Sequence, residues 1–396
     1  MEFPLLTPEF KDEYRRRLRR IRRAMEARDL DALLIGASAN IYYITGGVCR
    51  GYFYIPLEDA EPIFFTIPPS ASSSPLDVSI RKPEMIPGEL KNRGYKTPKR
   101  IGLEYDDLYY SEVKRLAALF ADSEISNGSD AMRAARLVKT ECEISKMKVD
   151  GLKQSAVYSR IKHCFKEDMT DVEFQIEIER ILRLEGCLGY LRAAGSRMEI
   201  NLGSVLVGPN ADVPSPYDFS MGGAGTDPSL PVGASGVIMK PGMTVMVDMN
   251  GGFNGYQTDM TRCWAIGEVP AKVRAAHECS IMILRDLEEF CRPGVVIGDM
   301  YRRAARMAAD AGLADYFMGH QHKVAFIGHG VGIELNELPV VMERNKNTLE
   351  EGMTIALEPK FVFPKVGAVG VENTYAVRDS GLENLTAHPE DLQNFL

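Results

Sequence analysis

Apolar residues recur along the chain in short runs that alternate with amphipathic helical segments. In residues 11–28, Leu18, Ile21 and Met25 stand at helical spacing and arginines fill the remaining face, which predicts a helix with a solvated basic side. The apolar runs DALLIG, EPIFFTIP and RIGLEY follow and predict strands. Strands alternating with helices over about the first 130 residues predict a small α/β domain.

A second region begins close to residue 140. Thr140 and Glu143 form the capping-box pattern that starts a helix, and the same pattern recurs in MTDVEFQIEIERILRLEG. The segments NLGSVLVG, TVMVDMN, MTRCWAIG, TIALEP and NTYAVR predict strands, with two further helices between them. We therefore expect two domains, residues 1–139 and 140–396, the second built of antiparallel hairpins covered by helices.

One strand pattern occurs twice in the second region. GMTVMVD ends at Asp248 and GMTIALE ends at Glu358, so each apolar run stops on an acid. A glycine-containing turn and a second acid follow each run, Asp259 in the first copy and Glu372 in the second. Each unit is thus predicted to be a hairpin with one carboxylate on each arm. Two such hairpins would bring four carboxylates together across a pseudo-twofold axis.

Four carboxylates in a protein interior require positive charge, because burying ionised acids is costly and like charges repel. The alternative is four solvated acids in surface turns, but the apolar runs before Asp248 and Glu358 place these acids inside. His329, in the segment GHGVG, adds an imidazole in a predicted glycine-rich turn. This set suits Mn²⁺, Fe²⁺, Co²⁺ or Zn²⁺, and its size indicates two divalent ions. Hydrolysis of an amide-like bond is the natural reaction.

Composition and charge narrow the class of partner. Asp and Glu number 55 against 47 Lys and Arg, a net charge of −8, which argues against nucleic acid or an anionic membrane as the main partner. No apolar run reaches the roughly 18 residues of a membrane span, and the first residues lack the apolar core of a secretory signal. The seven cysteines include no CxxC pair, which fits a reducing cytoplasm.

The order of the motifs resembles the pita-bread metallopeptidases: prolidase, aminopeptidase P, methionine aminopeptidase and the related creatinase. The resemblance rests on VDMNGGFNGYQTDMTR, IGHGVGIELNELP, TIALEPK and VGVENTY, and extends to NIYYITG near the start. It implies an α+β protein, with a pita-bread catalytic domain of antiparallel sheet and pseudo-twofold repeat after a smaller creatinase-type α/β domain. It also implies that Glu358 is the general base and that the metal ligands are Asp248, Asp259, His329, Glu358 and Glu372.

Several accessory positions depart from the family's pattern. Histidines that orient substrate and relay protons are expected at or near Val232 (or Pro231), Ala325 and Asn336, and an arginine is expected where Gly370 stands. A neutral amide such as that of Asn336 donates a hydrogen bond but does not shuttle a proton at neutral pH. The metal ligands are kept while the accessory set is lost, which leaves the substrate class open.

Two further features are candidates for substrate contacts. The loop 214–231 is rich in Gly and Pro, and its residues Tyr217 and Asp218 either line a pocket or belong to an ordinary long loop. In the family, the N-terminal domain often reaches the active site of the neighbouring subunit. Arg50 is therefore a candidate for binding a substrate carboxylate, with an ordinary surface arginine as the alternative.

Together these observations favour a cytoplasmic, homodimeric, metal-dependent hydrolase of C–N bonds, with an Xaa-Pro dipeptide as the substrate that the resemblance implies. One alternative is a hydrolase or lyase of the same fold that acts on a small non-peptide metabolite, because the accessory histidines are replaced. Another is a non-catalytic binding module, against which the intact ligand set weighs. The expected partners are a dipeptide or other small molecule and a second copy of the chain, with no nucleic acid and no membrane.

Overall fold

The computed structural model of the chain describes residues 8–68, 77–195, 198–217 and 219–396. The chain divides into two units, Met1–Arg136 and Leu137–Leu396. In the part of the chain so described, every helix is either too short or too polar to cross a membrane.

The N-terminal unit is a six-stranded sheet with helices around it. The helices are α1 (Pro8–Glu26), α2 (Ser38–Thr45), α3 (Ile86–Asn92), α4 (Tyr110–Ala117) and α5 (Ser129–Leu137), the last of which ends at the unit boundary. The strands are β1 (Ala32–Ile35), β2 (Gly51–Pro56), β3 (Ile63–Thr66), β4 (Asp77–Ser79), β5 (Arg100–Leu103) and β6 (Glu124–Asn127). Their order is β4-β3-β2-β1-β5-β6, with β1 antiparallel to β2 and parallel to β5. The predicted α/β domain is confirmed.

The first helix buries the apolar residues that its sequence pattern predicts, and it buries one arginine as well. Leu18, Ile21 and Met25 are buried, as their helical spacing predicts. Arg17, assigned to the solvated face, is also buried, because its Nε donates to Glu13 Oε1 at 2.7 Å within the same helix. A buried arginine needs such a partner, so the pair is accommodated together.

The C-terminal unit consists of sheets whose strands are antiparallel, apart from one parallel pair, and of two pairs of helices that cover them. The helices are α6 (Glu141–Ile161), α7 (Asp171–Leu184), α8 (Ala271–Phe290) and α9 (Ile297–Asp310). The strands are β7 (Gly203–Val207), β8 (Thr244–Asn250), β9 (Asp259–Ala265), β10 (Phe326–Gly330), β11 (Glu337–Met342), β12 (Thr354–Leu357), β13 (Lys360–Phe363), β14 (Gly367–Gly370), β15 (Asn373–Arg378), β16 (Gly381–Asn384) and β17 (Gln393–Asn394). They form sheets of order β17-β9-β8-β7, β11-β10-β12-β15-β16 and β13-β14, with β17 parallel to β9.

Each helix pair covers one of the two larger sheets. Apolar residues of α6 and α7, such as Val157 and Phe174, share a core with Val247 of β8. Residues of α8 and α9 share a second core with β12 and β15, for example Ile283 with Ile355. The protein therefore has the predicted fold, two helix-covered hairpin sheets in the C-terminal unit, and the acids lie where the two sheets meet.

Both predicted capping boxes are present. The Thr140 side chain accepts from the Glu143 backbone N–H and the Glu143 carboxylate accepts from the Thr140 N–H, and Thr170 and Glu173 do the same at the start of α7. Each box satisfies two backbone donors that the first helical turn leaves without intrahelical partners.

We expect Thr170→Ala to lower the free energy of unfolding by about 1 kcal/mol, because it removes the acceptor for the Glu173 N–H. Chemical denaturation at neutral pH measures the change. Ser159→Ala is the matched control, since that exposed hydroxyl lies within α6 and donates back to the Ser155 carbonyl of the same helix; its effect should stay within about 0.5 kcal/mol. Equal effects of the two substitutions would contradict the importance of the cap.

Candidate metal centre

The two hairpins bring the four predicted acids to one place. Asp248 lies in β8 and Asp259 opens β9, the strand that pairs antiparallel with it. Glu358 directly follows β12, and Glu372 directly precedes β15, its antiparallel partner. Between Glu358 and Glu372 the chain leaves this sheet as the hairpin β13–β14. The second hairpin is thus interrupted, and its acids stand where the strands pass from one sheet to another.

Backbone and side-chain contacts join the two hairpins at the acids. Thr261 of β9 forms an isolated antiparallel bridge with Glu372, and its hydroxyl donates to Glu372 Oε2 at 2.7 Å. The neighbouring Arg262 is buried and donates to the Glu372 carbonyl and to Asn373 Oδ1, each at 2.8 Å. These bonds fix the position of one hairpin's acid relative to the other hairpin.

His329 lies within strand β10 rather than in the glycine-rich turn that the sequence suggested. The flanking glycines serve strand packing, because a Cβ at Gly328 would lie 2.2 Å from the carbonyl oxygen of Ala356 in β12. A Cβ at Gly330 would lie 2.0 Å from the carbonyl oxygen of Leu338 in β11. Glycine on each side of His329 therefore lets both neighbouring strands approach.

The imidazole of His329 is oriented towards the acids. Its Nδ1 lies 3.1 Å from the Gly330 carbonyl oxygen, and its Nε2 lies 3.7 Å from Asp259 Oδ2 and 3.9 Å from Glu358 Oε1. A carbonyl only accepts, so the proton of a neutral ring belongs on Nδ1, and Nε2 presents its lone pair to the carboxylates. Metal-ligating histidines commonly hold their second nitrogen in this way.

Lys360 is the residue at this centre that sequence analysis missed. It is fully buried, and its Nζ donates to Asp248 Oδ2, Glu358 Oε2 and Glu372 Oε2, each at 2.8 Å. One signal was present in the segment EPKFVF. Residues two apart in an extended chain point to the same side, so a lysine two residues after an inward-facing glutamate is directed to the same interior.

The ligand-type atoms fall into two groups, each with its atoms within 4.8 Å of one another. The first group consists of Asp259, His329 and Glu372. The second consists of Asp248, Glu358 and Glu372, so Glu372 belongs to both groups. In the first group Glu372 Oε1 is buried and lacks a hydrogen-bond partner among the described residues, which is the environment a cation relieves. The donor set therefore fits a divalent ion in the first group, whereas the second contains the Lys360 ammonium.

The charges of the centre are unbalanced without a further cation. Burial raises the pKa of Glu372 to about 8 although Lys360 opposes this, and burial followed by the charge of Glu372 raises the pKa of Asp259 well above its usual range. Burial lowers the pKa of Lys360, but its three carboxylate partners outweigh that effect and keep its pKa well above the ordinary value. The ammonium is thus charged, and the deficit of positive charge lies at Asp259 and Glu372.

Ser220, which the sequence did not single out, contacts Glu358 from the segment 219–231. Ser220 Oγ donates to Glu358 Oε2 at 2.5 Å, and Lys360 Nζ lies 3.5 Å from the same hydroxyl. Ser220 lines a cavity of about 70 Å³ together with four of the five predicted ligands, and it also lines an adjoining cavity of about 260 Å³. Tyr217 lines the larger cavity and donates to Glu199 Oε2 at 2.8 Å, while Asp218 lies outside the described residues.

The other predicted substrate contacts are placed differently. Asn336 lines the small cavity, but its carbonyl accepts from the Ala194 N–H at 2.7 Å and its amide donates to the Ala194 carbonyl at 2.8 Å. Val232 is buried and contributes to neither of the two cavities described above. Arg50 belongs to the N-terminal unit, where it lines another cavity of about 650 Å³ with Arg81 and Arg115. The substrate roles of Tyr217, Val232, Asn336 and Arg50 stay predictions.

Two helix-covered hairpin sheets that meet at four carboxylates and an imidazole define a metal-dependent hydrolase. Comparison with protein families agrees: the model of metallopeptidase family M24 matches residues 145–379, and that of the creatinase/prolidase N-terminal domain matches residues 17–138. The chain belongs to metallopeptidase family M24. The predicted family, fold and enzyme class are confirmed, and a non-catalytic binding module is not favoured.

Relatives of this family match along nearly the whole chain. The Xaa-Pro dipeptidase of Pyrococcus horikoshii is 25% identical over 384 residues, which cover 95% of this chain and 98% of that protein. The Xaa-Pro dipeptidase of Lactobacillus delbrueckii subsp. lactis is 24% identical over 384 residues, or 93% and 96% of the two chains. The solved Xaa-Pro dipeptidase from Bacillus anthracis has a TM-score of 0.80 at 21% identity, covering 96% of this chain and 99% of that one.

We expect Mn²⁺ to raise the melting temperature of the chelator-treated protein, since a ligand present at 100 times its Kd stabilises the folded state by about 2.7 kcal/mol. Asp259→Asn should weaken Mn²⁺ binding at least about tenfold, because it removes a charged donor of the candidate group. Differential scanning fluorimetry over a Mn²⁺ titration measures both effects. Asp310→Asn, at the exposed end of α9, is the control. A stabilisation by Mn²⁺ that is unchanged in Asp259→Asn would place the ion elsewhere.

Proposed function

We propose that the chain hydrolyses the peptide bond of Xaa-Pro dipeptides. The observation that carries this proposal is the convergence of Asp248, Asp259, His329, Glu358 and Glu372 at one centre within the fold of metallopeptidase family M24, where all but Glu372 line one cavity. Two relatives that align over more than nine-tenths of the chain are Xaa-Pro dipeptidases, which supports this substrate class over a small non-peptide metabolite.

The size of the accessible space supports a short substrate. The cavity at the acids has a volume of about 70 Å³, and the adjoining cavity of about 260 Å³ shares Phe219, Ser220 and Met221 with it. Together they reach the lower end of the range of about 300–1,000 Å³ found for small-molecule sites. A dipeptide suits this space better than a longer peptide does.

The residues divide the chemical work as follows. We propose that Asp259, His329 and Glu372 hold a divalent ion, Mn²⁺, Co²⁺, Fe²⁺ or Zn²⁺. A divalent ion bound there supplies Lewis-acid chemistry by polarising the scissile carbonyl. Glu358 acts as general base: its Oε2 is held by Ser220 and Lys360, while its Oε1 receives no hydrogen bond from the described residues. Oε1 is therefore the atom that takes a proton from the attacking water.

The replaced accessory residues predict slow proton delivery to the leaving amine. Ala325 and Val232 carry no titratable group, and Asn336 is engaged with the Ala194 backbone in both directions. General acid catalysis of this kind is worth about 10²–10⁴-fold in rate. Substrate would thus be bound and positioned while the amine departs with less assistance than a histidine gives.

Assembly and location are also proposed. We propose a homodimer in which Arg50 contacts substrate in the neighbouring active site, on the basis of the family resemblance. We propose a cytoplasmic location because all seven cysteines are free thiols, which suits a reducing compartment.

We expect Xaa-Pro dipeptides to be hydrolysed faster than Xaa-Ala dipeptides, Xaa-Pro tripeptides and small zwitterionic amides, at a kcat/KM below about 10⁴ M⁻¹s⁻¹. The slow rate follows from the missing proton donors. Parallel assays of released amino acid, with each of the four divalent metals, measure the preference. Faster turnover of a zwitterionic amide would instead favour a non-peptide metabolite, and a higher kcat/KM on Xaa-Pro dipeptides would show that the substitutions cost little.

We expect Glu358→Gln to lower kcat about 10²–10⁴-fold, because the amide does not accept the proton of the attacking water. Steady-state kinetics on the best dipeptide, with circular dichroism to verify folding, measures the effect. Glu351→Gln is the matched control, because Glu351 is an exposed glutamate that shortly precedes β12, the strand that Glu358 follows. Retention of wild-type kcat by a folded Glu358→Gln protein would assign the general base to another group.

A further inference from the structure

The Lys360 side chain is surrounded in the manner of a bound cation. It is fully buried, and its three ammonium hydrogens have three carboxylate acceptors, on Asp248, Glu358 and Glu372. Each acceptor oxygen lies 2.8 Å from Nζ. An ammonium has three donors and no acceptor, so these bonds saturate it. Charge-assisted bonds to ionised partners are roughly twice as strong as neutral ones.

These three acids are the same ones that form the second candidate ligand group. A divalent ion lies at about 2.0–2.2 Å from a carboxylate ligand. The ammonium nitrogen already stands 2.8 Å from one oxygen of each acid, so an ion among those oxygens would overlap it. The ammonium and a metal ion therefore exclude one another in this group.

The position of Lys360 is fixed by its backbone as well as by its charge. It opens β13, where it pairs with Gly370 of β14, and its carbonyl accepts from the Met318 N–H at 2.9 Å. Withdrawal of the ammonium would break three charge-assisted bonds and leave a buried cation without acceptors, which is costly.

The first ligand group has no ammonium. Asp259, His329 and Glu372 form it, and the buried Glu372 Oε1 is without a hydrogen-bond partner among the residues described. The four carboxylates carry four negative charges, of which Lys360 offsets one. A divalent ion in the first group offsets two more, so one ion and one ammonium leave the centre with one net negative charge.

We propose that the Lys360 ammonium replaces one metal ion, so that the chain binds a single divalent ion between Asp259, His329 and Glu372. The inference rests on the metal-dependent hydrolysis proposed above and changes the predicted number of ions from two to one. Lys360 is then a positioning residue: it holds Asp248, Glu358 and Glu372 and supplies fixed charge, but offers no open coordination position to substrate.

The test counts ions and needs no substrate. The chelator-treated full chain is titrated with Mn²⁺ by calorimetry, and bound manganese is measured by elemental analysis after gel filtration. We expect one Mn²⁺ per wild-type chain and two per Lys360→Ala chain, in which three carboxylates are freed. Lys139→Ala is the matched control, because Lys139 is a buried lysine paired with Glu337 at 2.9 Å outside the centre, and its stoichiometry should remain one.

Electron paramagnetic resonance of the Mn²⁺-saturated wild type covers the case in which Lys360→Ala does not fold. An isolated Mn²⁺ spectrum is expected, and an exchange-coupled pair would overturn the proposal. Two ions per wild-type chain, or one ion in a folded Lys360→Ala chain, would also overturn it. The absence of any bound ion in the wild type would instead overturn the metal-dependent function, so the two failures are distinguishable.

Discussion

The arrangement of the catalytic unit depends on balancing the charge of four carboxylates in one interior site. Two antiparallel hairpins each deliver two acids, and the contact between the hairpins forces those acids together. Without cations, repulsion and burial would separate the hairpins or protonate the acids. The raised pKa of Glu372 and Asp259 expresses that conflict, and Lys360 resolves part of it from within the chain. The Lys360 ammonium and a bound divalent ion would therefore both offset the carboxylate charge that otherwise pushes the two sheets apart.

The strands are built so that this balance is held rigidly. Arg262 is buried beside the centre, and its guanidinium donates to backbone carbonyls and to Asn373 Oδ1. It therefore joins the two hairpins without bonding to the carboxylates. Thr261 takes one lone pair of Glu372 and thereby fixes the direction of its other oxygen. Ser220 does the same for Glu358 from a loop. Each of these two glutamates is thus oriented by a hydroxyl that leaves its other oxygen available for a cation or a proton.

The fold and the five converging side chains could be predicted from the sequence because they follow from local patterns. Acid-terminated apolar runs locate Asp248 and Glu358, and the capping boxes locate two helix starts. Lys360 could not be identified in this way, because a lysine is ordinarily exposed and its burial depends on three acids that only the fold brings together, one of them, Asp248, 112 residues away in the chain. The strand position of His329 was missed for a related reason: glycines that suggest a turn serve instead to let two distant strands approach.

The register of the hairpin β13–β14 links two features of this chain. Lys360 pairs with Gly370, the position where the family's pattern has an arginine. A Cβ at Gly370, whose φ is +154°, would lie 2.7 Å from the Pro359 carbonyl oxygen and 2.9 Å from the Lys360 Cα. The family resemblance implies a cationic side chain at position 370, whereas this chain has its cation at Lys360, across the same rung of the ladder. A side chain at position 370 is therefore obstructed by the backbone of the facing strand, so this rung of the ladder admits a cationic side chain from Lys360 but not from the position across it.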